Sequence, residues 1–197
     1  MKYFQLKKED LICSIFVDPA FSSSKSSDDA VVIAMGKHKI TGNYYQLDWY
    51  ADTSAPSKTF LAIIAMYDRC VMDWYKIDTI HIEEAKINKE QTKFIEDFKS
   101  FLRERGRYII VNAVPAKMNK QDRIKFILEP KISVNAIYLR KDMVDKIFTG
   151  KIETQLYDFP NNKHDDVIDC LAQAVACLEI KNDWPPKRIF VPAYPWL

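Results

Sequence analysis

The sequence predicts an α/β fold: a mixed sheet of five to six strands, three antiparallel and then parallel, flanked by helices. Three observations carry this. The first third of the chain holds three short apolar runs rich in β-branched and aromatic residues, joined by a Ser-rich stretch and a Gly-containing turn. Two further runs of that kind then alternate with stretches of helical period, an order that implies right-handed crossovers and parallel pairing. Finally, Val167, Leu171, Ala174, Val175 and Leu178 recur at helical spacing behind a polar, Pro-containing loop, so a last helix packs over the sheet.

Taken in order, residues 1–10 are a charged lead-in. Ile12 to Val17 is the first strand, stopped by Asp18-Pro19 because proline donates nothing to a ladder and disfavours helix before it. Phe21 to Asp29 is the Ser-rich loop. Ala30 to Met35 and Tyr44 to Tyr50 are the next two strands, with Gly36 to Gly42 as the hairpin connection. A helix from Pro56 to about Tyr75 carries the stripe Phe60, Ile63, Ile64, Tyr67, Val71 and Trp74. Thr79 to Ile82 is the fourth strand and runs into Glu83-Glu84. A second helix, Asn88 to Arg105, turns Phe94, Ile95, Phe98 and Leu102 inward and stops at Gly106. Tyr108 to Val114 is the fifth strand. Lys117 to Ile124 is a basic loop entering a short helix, Ala136 to Leu139 a short edge strand, and a helical segment with Phe148 and Gly150 precedes the last helix. Residues 1–182 are expected to form one domain. The segment 183–197 differs in character: Pro185, Pro186, Pro192 and Pro195 break it, while Ile189-Phe190-Val191 and Trp196-Leu197 are apolar, so it either docks on the body or awaits a partner.

Composition narrows the function. The 197 residues are 48% hydrophobic and 28% charged, ordinary for a globular protein. The four glycines build no phosphate-binding loop, which excludes a nucleotide-driven motor in this chain. A net charge of +2 does not announce nucleic acid, so any basic surface must come from local clustering. Cys13, Cys70, Cys170 and Cys177 form no Cys-x-x-Cys pair and sit in apolar patterns, as buried free thiols do. The histidines are too scattered for zinc. There is no signal peptide and no apolar run long enough to span a membrane.

What stands out is the placing of the acids. Asp165, Asp166 and Asp169 fall in the first turn and a half of the last helix, close enough to converge. Acidic first turns also suit the helix dipole, so alone they are ordinary capping. Asp18 ends the first strand, where a turn-starting Asp-Pro explains it equally well, and Glu83-Glu84 end the fourth. If the fourth strand pairs beside the first, Asp18 and Glu83 become neighbours roughly 4.8 Å apart. Joined by Asp165 or Asp166, they form a cage of hard oxygen ligands suited to Mg²⁺ or Mn²⁺. Two such ions, roughly 3.5–4 Å apart, can hold a phosphodiester between them.

These pieces resemble the nuclease domain of a tailed-phage terminase large subunit, a member of the ribonuclease H-like fold. The resemblance rests on strand–Asp18-Pro19-Ala20, on Ser27-Asp28-Asp29-Ala30-Val31-Val32-Ile33, and on Ile80-His81-Ile82-Glu83. Lys120-Gln121-Asp122-Arg123-Ile124 and Phe159-Pro160-Asn161-Asn162-Lys163-His164-Asp165-Asp166-Val167-Ile168-Asp169 complete it. It spans about residues 12–180 and implies metal-dependent, largely sequence-independent cleavage of concatemeric double-stranded viral DNA during genome packaging, with two Mg²⁺ or Mn²⁺ ions. Asp18, Glu83, Asp165 and Asp166 would be the catalytic metal ligands. Asp28 would be a supporting acid, with Asp29 open as its alternative; Glu84 competes with Glu83, and Asp169 has a supporting place. His164 would orient a ligand or simply hydrogen-bond within its loop. Lys117, Lys120, Arg123 and Lys163 would meet DNA phosphates, with Lys120 and Arg123 open to an active-site role and Lys125 an ordinary solvated lysine. The implied partners are double-stranded DNA, a motor ATPase domain of the same polypeptide, the portal protein and the small terminase subunit, in the host cell cytoplasm and with no membrane. The chain would correspond to the nuclease half alone. Another ribonuclease H-like nuclease (a junction resolvase or recombinase) and a non-catalytic DNA-binding packaging domain are the alternatives.

Overall fold

The computed structural model describes residues 7–20, 29–53, 55–84, 89–116, 118–139, 152, 154–161 and 165–180. The segment around Phe148 and Gly150 and the Pro-rich stretch 183–197 lie outside them. The strands are β1 (Leu11–Asp18), β2 (Ala30–His38), β3 (Tyr44–Asp52), β4 (Ile77–Glu84), β5 (Val111–Pro115) and β6 (Ile137–Leu139). The helices are α1 (Pro56–Met72), α2 (Lys89–Glu104), α3 (Lys120–Arg123), α4 (Glu129–Ser133) and α5 (Asp166–Ile180), with a π-helical stretch, Ile124–Leu128, joining α3 to α4. None of the described helices is long and apolar enough to cross a membrane.

The six strands form one sheet in the order β5-β4-β1-β2-β3-β6. β1, β2 and β3 pair antiparallel, and β1–β4, β4–β5 and β3–β6 pair parallel. The predicted meander followed by parallel crossovers is therefore what forms. β1 lies inside the sheet with both faces covered, so it reads as a continuous apolar run. Its alternate residues enter two separate cores. Cys13, Ile15 and Val17 join α1 and α2 on one face, where Phe60 packs against Phe94, Phe98 and Phe101. Phe16 joins β2, the π-helical stretch and α5 on the other. Gly36 is required by close approach: a Cβ there would stand 3.1 Å from Cys13 Sγ on β1. All four cysteines are buried free thiols.

Three local expectations need correction. α1 stops at Met72, and Trp74 adopts a left-handed conformation (φ 64°) with 85% of its surface exposed. Val71 and Trp74 thus leave the predicted stripe, because the chain turns toward β4 before the pattern completes. The short helix after the basic loop continues through the π-helical stretch to Ser133. Finally, α5 is buried almost all round from Asp166 to Val175, not along one stripe. The sheet covers one side, and α3 with the π-helical stretch covers another.

Candidate metal centre

The site grows from strand register. Val17 on β1 pairs with Ile82 on β4, so Asp18 and Glu83 occupy the next rung of two parallel neighbours. Both follow by two residues a ring on the α5 side, Phe16 and His81, which stack with centroids 5.2 Å apart. Since side chains alternate along a strand, both carboxylates face α5. Glu84 turns to the opposite face and accepts a hydrogen bond from Thr92 Oγ1 of α2 at 2.9 Å. Asp169, fully buried, comes down from α5. Oxygens of Asp18, Glu83 and Asp169 all lie within 4.8 Å of one another.

A second element supplies the counter-charge. Asn119 caps α3, its side chain accepting from the Asp122 N–H at 2.8 Å. That start puts Lys120 and Arg123 one turn apart on one side of the helix. Arg123 is only 5% exposed. Its Nε and Nη2 donate to the two Asp169 oxygens at 2.7 and 2.6 Å, and Nη1 donates to Glu83 Oε1 at 3.0 Å. One guanidinium thus clamps two of the three converging carboxylates. Lys120 Nζ lies 3.0 Å from Asp166 Oδ1, 3.4 Å from Asp165 Oδ1 and 4.0 Å from Asp169 Oδ2.

The structure therefore groups Asp18 and Glu83 with Asp169, whereas Asp165 and Asp166, expected as the helix-side ligands, gather around the Lys120 ammonium. Asp166 also accepts from the Asp29 backbone N–H at 3.2 Å, which ties the loop before β2 to the start of α5. Arg123, expected among the DNA contacts, lies beneath the carboxylates and not on the surface. Asp28, Lys117, Lys163 and His164 lie outside the described residues. The sequence pattern undervalues Asp169 because it falls two positions before Leu171, on roughly the opposite side of the predicted apolar stripe. The usable signal was Asn119 followed by Lys120 and Arg123, a capped turn offering two cations at i, i+3 to the same acidic helix.

The electrostatics follow from burial. Burial first, then the charges of Glu83, Asp169 and Asp166, push the Asp18 carboxyl well above its ordinary value of 3.8, although Lys120 pulls the other way. Burial also raises Asp169 despite its bonds to Arg123. Burial works against the charges of Lys120 and Arg123, but the carboxylates around them win and hold both above their ordinary values. The beside-lying Cys170 thiol is pushed up by burial, away from the reactive thiolate.

A pH dependence follows. A carboxyl with a raised folded pKa binds its proton more tightly in the fold than in the unfolded chain. Its contribution is fully present below 3.8 and is lost as pH rises through the raised value. In chelator, the melting temperature of Asp18→Asn minus that of the parent should therefore grow as pH rises from below 3.8 and then level off. Paired calorimetric scans across pH check this; a flat difference refutes it.

The fold is ribonuclease H-like: the mixed sheet with α5 laid over its central strands matches solved domains of that class. The human cytomegalovirus terminase nuclease domain superposes with a TM-score of 0.62 at 13% identity, covering 84% of this chain and 82% of that one. The manganese-soaked form of the same domain gives 0.58 at 14% identity, covering 89% and 87%. The fowlpox virus resolvase in complex with Holliday junction DNA gives 0.48 at 14% identity, covering 87% and 98%. No protein-family model matches the chain, and neither does any curated protein.

Proposed function

We propose that this chain is a divalent-metal-dependent endonuclease that cuts double-stranded DNA with little regard for sequence, as the nuclease part of a viral terminase trimming concatemeric genomes during packaging. The observation that carries the reading is the meeting of Asp18, Glu83 and Asp169 oxygens within 4.8 Å. Burial first, and then the neighbouring charges of Glu83, Asp169 and Asp166, raise the Asp18 carboxyl, so a cation beside it would relieve that crowding. The donor set is all hard oxygen, which suits Mg²⁺ or Mn²⁺. Asp18, Glu83 and Asp169 would hold one ion, and Asp166 with Asp165 would serve a second. Ions there would activate a water and stabilise the departing oxygen of the phosphodiester.

The chain's own residues do the remaining work. The parallel pair β1–β4 aims two carboxylates at one point. Arg123 keeps Glu83 and Asp169 from repelling each other, so the ligands stand ready. Lys120, with 42% of its side chain exposed, brings a cation to the mouth of the site, where a phosphate would arrive. Lys117 and Lys163 would add backbone contacts that carry no sequence information. The likeness of fold to a terminase nuclease domain supports this reading, while a tailed-phage origin in particular rests on the sequence motifs alone.

Plasmid incubated with the protein and Mn²⁺ should be nicked and linearised, and chelator should abolish the product. Stronger cleavage of a four-way junction than of linear duplex would move the reading to a resolvase. Salt-sensitive DNA binding without any metal-dependent product would make it a non-catalytic packaging domain. The metal should also stabilise the fold, by about 2.7 kcal/mol at a hundredfold excess over Kd. A thermal-shift titration with Mn²⁺ measures this, and Asp18→Asn should remove most of the gain.

A further inference from the structure

The exposed edge of β5 combines three features: unpaired backbone, exposed apolar side chains and a one-sided positive charge. Ile80 N–H donates to the Ile110 carbonyl at 2.9 Å, and the pairs Ile80↔Val111 and Ile82↔Ala113 set the parallel register. That register turns the N–H and C=O groups of Val111 and Ala113 away from β4, and no described strand pairs with them. Such an edge is a template for a further strand. Large apolar side chains flank it: Tyr108 is 94% exposed, Ile110 62% and Met118 38%. Exposure gathered at one place in this way marks an interaction surface.

The two faces of the edge differ in chemistry. Residues on one rung of a parallel pair share a face. Asn112 and Val114 therefore lie on the α5 side with His81 and Glu83, and Val111 and Ala113 on the α2 side. On the α5 side is a cavity of about 830 Å³ with a largely apolar wall that includes Val114, Met118, Ile127 and Ala176. Two charged groups of that wall are already matched: Arg123 by Glu83 and Asp169, Glu179 by Lys131 and Tyr44. On the α2 side, a hollow of about 190 Å³ is basic, bounded by Lys99, Arg103, Arg107 and Tyr108 beside Leu102, Ile109 and Val111. Asp68 binds Arg107, but no described residue pairs with Lys99 or Arg103.

We propose that the β5 edge docks an extended segment of a partner protein as an added strand, apolar on one side and acidic on the other. The Val111 and Ala113 backbone supplies its hydrogen bonds. Alternate side chains of a strand point to opposite faces, so one set enters the apolar cavity while Asp or Glu in the other set meets Lys99 and Arg103. Charge decides between occupants. From Lys99 to Val111, four cations stand against one acid, Glu104. A second copy of this chain does not match: β5 carries no acid, and two β5 edges laid together would set like cations side by side. Nucleic acid would meet the cations but leave the outward N–H and C=O groups and the apolar cavity without partners. The proposal stands whether or not the nuclease reading does.

Hydrogen exchange on the full chain tests it. The probe is an end-blocked synthetic peptide of about seven residues, alternating valine and glutamate. At low salt it should slow exchange of the Val111 and Ala113 amides by at least about tenfold, while β1–β3 exchange as before. The same peptide with lysine in place of glutamate should bind at least about tenfold more weakly, because like charges then face each other. The double variant Lys99→Glu/Arg103→Glu, both changes on the exposed side of α2, should reverse that preference. Ala113→Pro removes one outward N–H at an edge position, where proline is tolerated, and should weaken binding of the valine–glutamate peptide. Indifference to the charge of the peptide, or no protection at millimolar peptide, overturns the proposal. So does protection in the chain alone, which shows an edge already covered; if that protection grows with protein concentration, the edge belongs to a second copy. An oligonucleotide that protects the same amides better than the peptide overturns it in favour of nucleic acid.

Discussion

Replacing Asp18 by Asn, or Asp169 by Asn, is expected to lower metal-dependent DNA cleavage by at least about 100-fold while leaving the protein folded. Outer partners of metal ligands typically cost 10–100-fold when removed, so a direct ligand should lie at or beyond the top of that range. Each change deletes one charge from the oxygens that converge within 4.8 Å, yet keeps the shape of the side chain. Asp165→Asn should cost least among the acids, since the only side-chain contact the described structure gives it is the 3.4 Å approach of Lys120 Nζ. Rates on supercoiled plasmid across a Mn²⁺ series decide the order. Full activity in Asp169→Asn with loss in Asp165→Asn would move the helix-side ligand back to the position that the sequence first suggested.

Arg123→Met should bring the largest loss of stability. The guanidinium is buried and makes three hydrogen bonds to Glu83 and Asp169. Removing one partner of a buried ion pair costs about 3–5 kcal/mol, because the remaining charges are left without compensation. For a domain of this size that corresponds to a fall of about 6–20 °C in melting temperature. The double variant Arg123→Met/Asp169→Asn should recover part of the loss, since it removes one of the stranded charges as well. Melting in chelator measures both. A loss below about 1 kcal/mol, the range of exposed pairs, would show that Arg123 contributes no more than a surface contact.

The fold was legible because its signals are local. Asp18-Pro19 ends β1, the runs from Ala30 and Tyr44 have the composition of strands, and the helical stripes of Phe60–Ile64 and Phe94–Leu102 declare the crossovers. Asp18 and Glu83 could be brought together from strand order alone. The helix side of the site was less legible. Whether Asp165, Asp166 or Asp169 meets the strands depends on how α5 rolls about its axis. A helix buried on several sides carries no polar face to reveal that roll. Arg123 was ambiguous for a related reason: a basic residue after a loop reads the same whether it meets solvent or a buried carboxylate. Only the capped turn at Asn119 and the path of the π-helical stretch direct it inward.

The wide spacing of the cluster along the polypeptide has a consequence for biosynthesis. Asp18 leaves the ribosome well before Asp169, and the guanidinium that braces Glu83 and Asp169 comes between. No nascent fragment that ends before α5 can bring the three carboxylates together, so under the proposed nuclease reading no cleavage could begin until translation has passed that helix.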